Sequence, residues 1–542
     1  MKHGSFLMIL SNLSDRVIFF LILPTFIIAT KMPILGSIIK KAYELRNLPL
    51  ELRENKNAIL TQNKVLIKLL KKAQHTAFGE YYNFSEIIKD KDIFNSFKKN
   101  VPIFDYNSMF KNWWYRALNG EAYVSWPGRV KYFALTSGTS ESSSKQIPVT
   151  ADMIRAIRKI SVRQLVSIVR FDFPIEFYQK GMLMIGGSTH LHYNGTYYEG
   201  DLSGISAGNI PFWFQHFYKP GKRISKERDW STKLEEIVKS AKNWDIGVIV
   251  GVPAWIQIML EKIIEHYNLK NIHEIWPNLS IYVHSGVSIE PYRKSLEKLF
   301  AHPIKYNESY LSSEGYIAYQ SHYGSNSMKM VVDTGIFYEF VPFNEDNFDS
   351  EGNIKKNPKT LTIGEVENNK EYALLMTTCA GAYRYMIGDT IKFVLKEEQE
   401  IIITGRTKHF LSICGEHLSQ ENMNQAIKML QDDCNVDINE FTVSGIRHNS
   451  LFAHKWFLGT NDDLDPKFAR KKIDENLKIL NDDYRVERIE AIKDIFVEIY
   501  PVQAFYDYMK LHGKEGGATK FPRVLKEKQL KQWEDFLKTY KK

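Results

Sequence analysis

Ile246-Gly-Val-Ile-Val-Gly-Val-Pro-Ala-Trp-Ile-Gln-Ile-Met-Leu-Glu-Lys-Ile-Ile264 reads as a strand that runs into a helix. Ile246–Val250 is a short apolar run bounded by glycine, and in Pro253–Ile264 the residues Ile256, Met259, Leu260 and Ile263 fall on one inward face. Working outward, Met182–Ile185, Leu279–Val283 and Ala373–Thr377 are further apolar runs bounded by Gly, Ser or Thr. Upstream, Ile59, Leu66, Leu70 and Ala73 share one face of a helix expected over Asn57–Ala73. Strands alternating with helices predict an α/β fold whose strand ends and loops carry the chemistry. The pattern changes after Ile401–Arg406. Phe441–Gly445, Trp456–Gly459 and Ile495–Ile499 read as strands, Pro466–Leu480 as a helix, and Gly513–Lys520 as a glycine-rich, lysine-bearing loop. The expected organisation is therefore a leader over 1–31, a large N-terminal domain over 32–405 and a smaller α+β domain over 406–542, hinged near Gly405–His409.

The 542 residues carry 72 Lys+Arg against 63 Asp+Glu, with 44% hydrophobic and 25% charged residues. That apolar share excludes wholesale disorder. The length calls for more than one domain, because single cores rarely exceed roughly 250–300 residues. The formal charge of +9 is spread along the chain. It suits an acidic substrate or a nucleotide and lacks the concentrated basic footprint of a nucleic-acid binder, so no nucleic-acid partner is expected. Three cysteines without a CxxC pair argue against a disulfide scaffold or a cysteine zinc site and favour a reducing, cytoplasmic setting. Val17–Thr30 is an uncharged apolar run of 14 residues interrupted by Pro24. A spanning helix wants about 20. The preferred reading is a start at Met32. Membrane association through Val17–Thr30 is the alternative, with membrane contact only if residues 1–31 are retained.

Four polar stretches carry candidate chemistry. Thr136-Ser-Gly-Thr-Ser-Glu-Ser-Ser-Ser-Lys145 follows the strand-like Lys131–Leu135. Hydroxyls of Thr136, Ser137, Thr139 and Ser140, with backbone N–H groups around Gly138, can wrap phosphate oxygens while Lys145 neutralises charge. It is not a Walker A loop, and taken alone such a Ser-rich stretch favours a Ser/Thr surface turn. In Tyr310-Leu-Ser-Ser-Glu-Gly315, Glu314 can hold Mg²⁺, a hard cation that wants a carboxylate; the alternative is an ordinary turn. In Tyr383-Arg-Tyr-Met-Ile-Gly-Asp389, an ionised Asp389 can accept both ribose hydroxyls; alone, Gly-Asp marks only a hairpin. Gly405-Arg406 is the fourth.

In this order, these elements resemble the GH3 (auxin-responsive promoter-like) acyl-acid-amido synthetase family, bacterial-type, of the adenylate-forming ligases. The resemblance runs from about Met32 to the C-terminus. It includes VPIFDY (Val101–Tyr106), GVPAW (Gly251–Trp255), SGVSIEPYR (Ser285–Arg293), GRTKHFLSICGEHLS (Gly405–Ser419) and TKFPRVL (Thr519–Leu525) beside the motifs above. No single string is diagnostic; the ordered set is specific. The resemblance implies a large N-terminal α/β adenylate-forming domain, a smaller mobile α+β C-terminal domain, and an active site between them. It implies that ATP and Mg²⁺ convert a small-molecule carboxylic acid into an acyl-adenylate, which the amine of an amino acid then attacks. Carried over by position, Thr136–Ser140 with Lys145 form the phosphate loop, and Tyr310, Ser313 and Glu314 the second nucleotide motif, with Glu314 on Mg²⁺. Ser285 and Gly286 line the adenine side, Asp389 takes the ribose, Arg406 marks the domain junction, and Lys520 reaches the α-phosphate. Lys520, Lys145 and Glu314 are the implied catalytic residues.

The sequence departs from the family pattern in places. Glu141 and Ser142–Ser144 stand where many members have Gly and Lys. Met386 and Ile387 replace the Arg-Val of plant members, leaving Arg384 but removing a second arginine contact. His409 replaces a frequent acidic residue. These changes raise a catalytically weakened, nucleotide-binding homologue as one alternative. An acyl-CoA-type ligase using the same adenylate is another. Elsewhere, His190 and His192 read as polar loop histidines rather than zinc ligands. Tyr193, Tyr197 and Tyr198 read as packing residues with an aromatic acid pocket as the alternative, and Phe212, Trp213, Phe214 and Phe217 read as core or rim residues that are also the best candidates for an apolar acyl pocket. Leu525–Lys542 reads as a solvated amphipathic helix. The leader is tested by fractionating the full-length product beside a Met32-start product. Equal partition into the soluble fraction is expected, and membrane recovery of the longer form alone would establish the anchor.

Overall fold

Val248 and Ile249 are adjacent on one strand and face opposite ways, and both are buried. Val248, with Ile281 and Val283, packs on the aromatic segment from Ile168 to Tyr178, whereas Ile249 and Tyr282 pack on the helix Pro253–Tyr267. A strand covered on both faces belongs in the parallel part of a sheet. In the computed structural model, Tyr218–Lys219, Gly181–Met184, Ile246–Gly251, Ile281–Ser285 and Lys305–Ser312 lie side by side and parallel. They form one half of an eleven-stranded sheet. The other half is antiparallel, in the spatial order Gly315–Tyr319, Met328–Met330, Glu400–Arg406, Tyr385–Leu395, Glu371–Thr378, Ile336–Pro342. The described residues are 36–37, 39–45, 57–136, 145–210, 214–286, 289–349, 352–408, 410–416, 418–512 and 521–540. Val17–Thr30, Met32, Ser137–Ser144 (with Glu141), Phe212, Trp213, His409 and Lys520 lie outside them. No helix among the described residues is long and apolar enough to cross a membrane.

The helix Ala58–Ala73 closes the antiparallel edge. Its seam uses Val65, Leu66, Leu69, Leu70 and Ala73, while Ile59, expected inward, is 44% exposed. The seam position one turn into the helix belongs instead to Gln62, which is buried because it serves the edge strand. Gln62 Nε2 donates to the carbonyls of Val332 and Ile336 at 2.6 and 3.0 Å, and Oε1 accepts from the Tyr338 amide at 2.8 Å. One side chain thus occupies hydrogen-bonding groups that an edge strand would otherwise leave open.

Beyond Arg406, a two-stranded ribbon (Phe410–Leu411 with Leu418–Ser419) leads into the helix Gln420–Cys434. A three-stranded sheet follows, ordered Glu440–His448, Leu451–Gly459, Ile492–Tyr500, with Pro466–Leu480 and Asp482–Glu490 between its last two strands. The C-terminal helix is Glu527–Thr539, and it is packed rather than merely solvated: Leu530, Trp533 and Leu537 are buried in a cluster with Phe457, Phe505 and Phe521. This part meets the larger one through Gln257 Nε2 to the Ser450 carbonyl (2.9 Å), Arg447 to Ser295 (3.2 Å), and the rings of Tyr292 and Phe452 (5.0 Å). Within the ribbon's connection, Glu416 accepts from the amides of Ile413 and Cys414 and lies 3.0 Å from His454 Nε2. Burial pushes the Glu416 carboxyl up, but His454 and the amides of Cys414 and Glu416 outweigh it and bring it down to about 2.

Arg384 anchors the strand Tyr385–Leu395. It is buried, with φ +43°, and its guanidinium meets the carboxylate of buried Glu339 at 2.9–3.1 Å. Its Nη1 also donates to the carbonyls of Lys98 (3.0 Å) and Val101 (2.7 Å). The Arg384 carbonyl accepts from Phe104, and the Phe104 carbonyl from Met386, so Val101–Tyr106 adds a parallel rung beside Tyr385. The arginine of YRYMIGD is therefore a structural cation. Glu339→Gln leaves it buried without a counter-charge and is expected to lower unfolding stability by about 3–5 kcal/mol, read by denaturant unfolding. A loss below about 1 kcal/mol, within the range of an exposed pair, would show that the pair does not hold this strand.

Candidate active site

Ser285 pairs with Ser309 across the parallel strands Ile281–Ser285 and Lys305–Ser312. The carboxyl ends of both strands therefore open at the same edge, where open α/β sheets bind ligands. From the first end the chain turns through Gly286, in the left-handed region at φ +88°. From the second it turns through Ser313 and Glu314 into Gly315–Tyr319. Across the antiparallel pair Tyr385–Leu395 and Glu400–Arg406, Asp389 stands directly opposite Arg406.

Asp389 joins these two regions. Its Oδ2 accepts from the Tyr310 hydroxyl at 2.6 Å, and Arg406 Nε lies 3.0 Å from its Oδ1. Arg406 Nη2 also donates to the Ile387 carbonyl at 3.1 Å. Tyr310 is buried in the core beneath the sheet edge, and burial, reinforced by Asp389, pushes its phenol well above the ordinary range. It remains a hydrogen-bond donor at any working pH.

Glu314 and Lys145 complete the cluster. Glu314 is buried, and burial pushes its carboxyl up, an effect offset by the charge of Lys145 and reinforced by Asp389. Lys145 pairs with Thr136 in the hairpin Tyr132–Thr136/Lys145–Val149. Burial pushes its ammonium down; Glu314 and Asp105 act against that, and Arg406 and Lys408 add to it. Two buried or half-buried cations and two carboxylates thus share one field. Mixed charge of this kind offers partners both to the oxygens of a polyanion and to a divalent cation. Among the described residues, no three His, Cys, Asp or Glu side chains cluster as a ready metal site. Oxygen donors of the Glu314 kind do fit Mg²⁺, which usually keeps one or two carboxylates and takes its remaining oxygens from phosphates and water.

The structure thus brings together Lys145, Tyr310, Glu314, Asp389 and Arg406, places half-buried Ser313 at the same turn, and sets Ser285 and Gly286 at the neighbouring strand end. Thr136 is placed by its backbone in the hairpin; Ser137, Gly138, Thr139, Ser140 and Lys520 lie outside the described residues. Asp105 enters the field of Lys145 without having been expected there. The sequence signalled it only as part of VPIFDY. Away from the cluster, His192 Nδ1 lies 2.9 Å from Glu199, Tyr197 accepts from Gln146 at 3.0 Å, and the rings of Phe214 and Phe217 lie 6.4 Å apart.

The family models match this chain in three pieces: the GH3 family N-terminal domain over residues 52–235, the central domain over 329–400, and the C-terminal domain over 421–529. A jasmonoyl–L-amino acid synthetase of Oryza sativa subsp. japonica is 31% identical over 137 residues, covering 22% of this chain and 22% of that protein. An indole-3-acetic acid-amido synthetase of Arabidopsis thaliana is 32% identical over 130 residues, covering 22% and 20%. The chain therefore matches only about a fifth of the length of these curated relatives. The fold is alike over far more. An acyl acid amido synthetase structure aligns with TM-score 0.57 at 15% identity, covering 91% of this chain and 95% of that one. A 2-hydroxyisobutyryl-CoA ligase aligns with TM-score 0.56 at 13% identity, covering 90% and 94%. Matched by all three domain models in order, the chain belongs to the GH3 family.

Proposed function

We propose that this protein is an ATP-dependent acid–amino acid ligase. It adenylates a small-molecule carboxylic acid and passes the acyl group to the amine of an amino acid. The observation that carries the reading is the meeting of Lys145, Glu314, Asp389 and Arg406 at the carboxyl edge of the sheet in a GH3 chain. The names of both curated relatives describe a carboxylic acid joined through an amide.

Each residue has a part in this reading. Asp389 receives the ribose hydroxyls, with Tyr310 holding its carboxylate in place, and Ser285 and Gly286 border the adenine. Thr136–Ser140 and Lys145 receive the phosphates, and Glu314 would hold Mg²⁺, with Ser313 beside it in the second nucleotide motif. That ion would supply neutralisation of the charge that builds on the phosphate oxygens. In the first half-reaction a carboxylate oxygen attacks the α-phosphorus and the bond to the pyrophosphate oxygen breaks. The attacking anion is repelled by the triphosphate, so Lys145, and Lys520 arriving from the 406–542 domain, lower the barrier by meeting negative charge. In the second, the amine attacks the acyl carbon, the bond to the adenylate oxygen breaks, and AMP leaves as the nitrogen gives up a proton. An acyl-adenylate is prone to hydrolysis, so a domain boundary at 405–406 that closes and reorganises has a use. Phe214 and Phe217, with Phe212 and Trp213, are the proposed apolar wall for the acid. Three free cysteines, two of them buried, suit a reducing cytoplasm.

The fold likeness to a CoA ligase favours one second reading, acyl transfer to a thiol. Hydroxylamine trapping with and without CoA separates the two. The main test is acid-dependent ATP–pyrophosphate exchange with pooled aromatic, aliphatic and hydroxy acids. Exchange with at least one pool is expected, abolished by chelating Mg²⁺. ATP binding without exchange in any pool would favour a nucleotide-binding homologue. Asp389→Ala is expected to weaken ATP binding by roughly tenfold, the order of a lost charged hydrogen bond. Lys520→Ala is expected to leave binding within about twofold and slow adenylation by about 10²-fold. Full adenylation by Lys520→Ala would remove that lysine from the chemistry.

A further inference from the structure

VPIFDY lies at the site although no step above uses its tyrosine. The Val101 carbonyl is held by Arg384, and Phe104 forms the rung beside Tyr385. Asp105 then caps the short helix Tyr106–Met109, accepting from the Ser108 amide at 2.8 Å. These bonds fix where Tyr106 stands. Its ring packs beside Phe110 and Trp114, at 5.5 and 6.2 Å between centroids. Two contacts run from it to the hairpin strand that opens at Lys145. The Tyr106 hydroxyl accepts from the backbone amide of Gln146 at 3.0 Å, and Lys145 Nζ lies 5.4 Å from the ring centroid. From the other side, the Gln146 side chain donates to Tyr197 (3.0 Å) and to Glu199 (2.9 Å).

Tyr106 therefore grips both the main chain next to Lys145 and its charged head. The kind of grip matters. A carboxylate partner would neutralise the ammonium and take up its donors. An aromatic face attracts the cation through its quadrupole and leaves all three N–H groups directional and available. Burial of Lys145 places the contact at the stronger, desolvated end of such interactions.

We infer that Tyr106 is a positioning residue for Lys145, holding its ammonium toward the nucleotide phosphates while leaving its hydrogen-bond donors open. The inference rests on the proposed role of Lys145 in the phosphate loop, and the experiment distinguishes failure of one from failure of the other.

MgATP and AMP binding are measured by calorimetry for Lys145→Met, Tyr106→Leu, Tyr106→Phe and the Tyr106→Leu/Lys145→Met double variant. Thermal melts check each fold, and Tyr106→Met replaces Tyr106→Leu if the latter does not fold. Lys145→Met is expected to weaken MgATP by about tenfold and Tyr106→Leu by about fivefold, both leaving AMP within about twofold. Tyr106→Phe, which keeps the ring, is expected to remain within about twofold for MgATP, and the double variant to bind like Lys145→Met alone. If Lys145→Met binds MgATP normally, the phosphate-loop reading fails. The Tyr106 inference is overturned if Lys145→Met weakens binding but the Tyr106→Leu effect is absent, multiplies with it, extends equally to AMP, or is matched by Tyr106→Phe.

Discussion

Arg384 is a full positive charge buried under the strand that carries Asp389, and the surrounding chain is arranged around meeting it. Desolvating a guanidinium is unfavourable unless its fork is filled, and removing one partner of such a pair leaves the charge stranded. Here Glu339 comes from the edge strand, the carbonyls of Lys98 and Val101 from the N-terminal layer, and a hydroxyl from Thr360 at 3.3 Å. Segments distant in sequence are thus pinned at one point. The left-handed backbone of Arg384 is the local strain this arrangement has to hold. Asp389 lies five residues further along the same strand, and Phe104 forms its rung two residues before Tyr106. The Asp389 carboxylate and the Tyr106 contact with Lys145 both trace back to this buried pair.

The site itself is ruled by burial and mixed charge. Burial pushes Glu314 toward its neutral form and Lys145 toward its neutral form, and the charge of each acts against that shift in the other. Asp389 weakens Glu314's hold on its charge, and Arg406 does the same to Lys145. A cluster balanced in this way responds strongly to an added polyanion or an added divalent cation, because either one reverses the sign of the field its neighbours feel.

What could be read from the sequence depended on how local the cause was. Pro253–Ile264 declared its helix through one apolar face, and it extends only to Tyr267. Pro466–Leu480 was legible to both ends because Asp465 caps it and the apolar face is regular. In the antiparallel half of the sheet only Ala373–Thr377 was legible, inside the strand Glu371–Thr378. Other strands there, such as Gly315–Tyr319, are buried on both faces, which erases the alternation that would mark them. Ile59 misled because its helix gives the seam to Gln62, whose reason is a strand some 275 residues away. The site motifs were visible as ordered strings. The Tyr310–Asp389 bond and the packing of Tyr106 over Lys145 were not, since no spacing rule connects 310 to 389 or 106 to 145.

Asp389 is held from two directions that differ in kind. Tyr310 reaches it from the buried core of the large sheet, where nothing is free to shift without opening a cavity. Arg406 reaches it from the last residue of the strand Glu400–Arg406, the point at which the chain leaves that sheet for its C-terminal part. Any motion of the C-terminal part about this exit bears on Arg406 before it bears on Tyr310. One oxygen of the carboxylate is therefore fixed by the fold, while the other answers to the junction. The Asp389 carboxylate is thereby tied to the exit of the chain from the large sheet through a single side chain, Arg406.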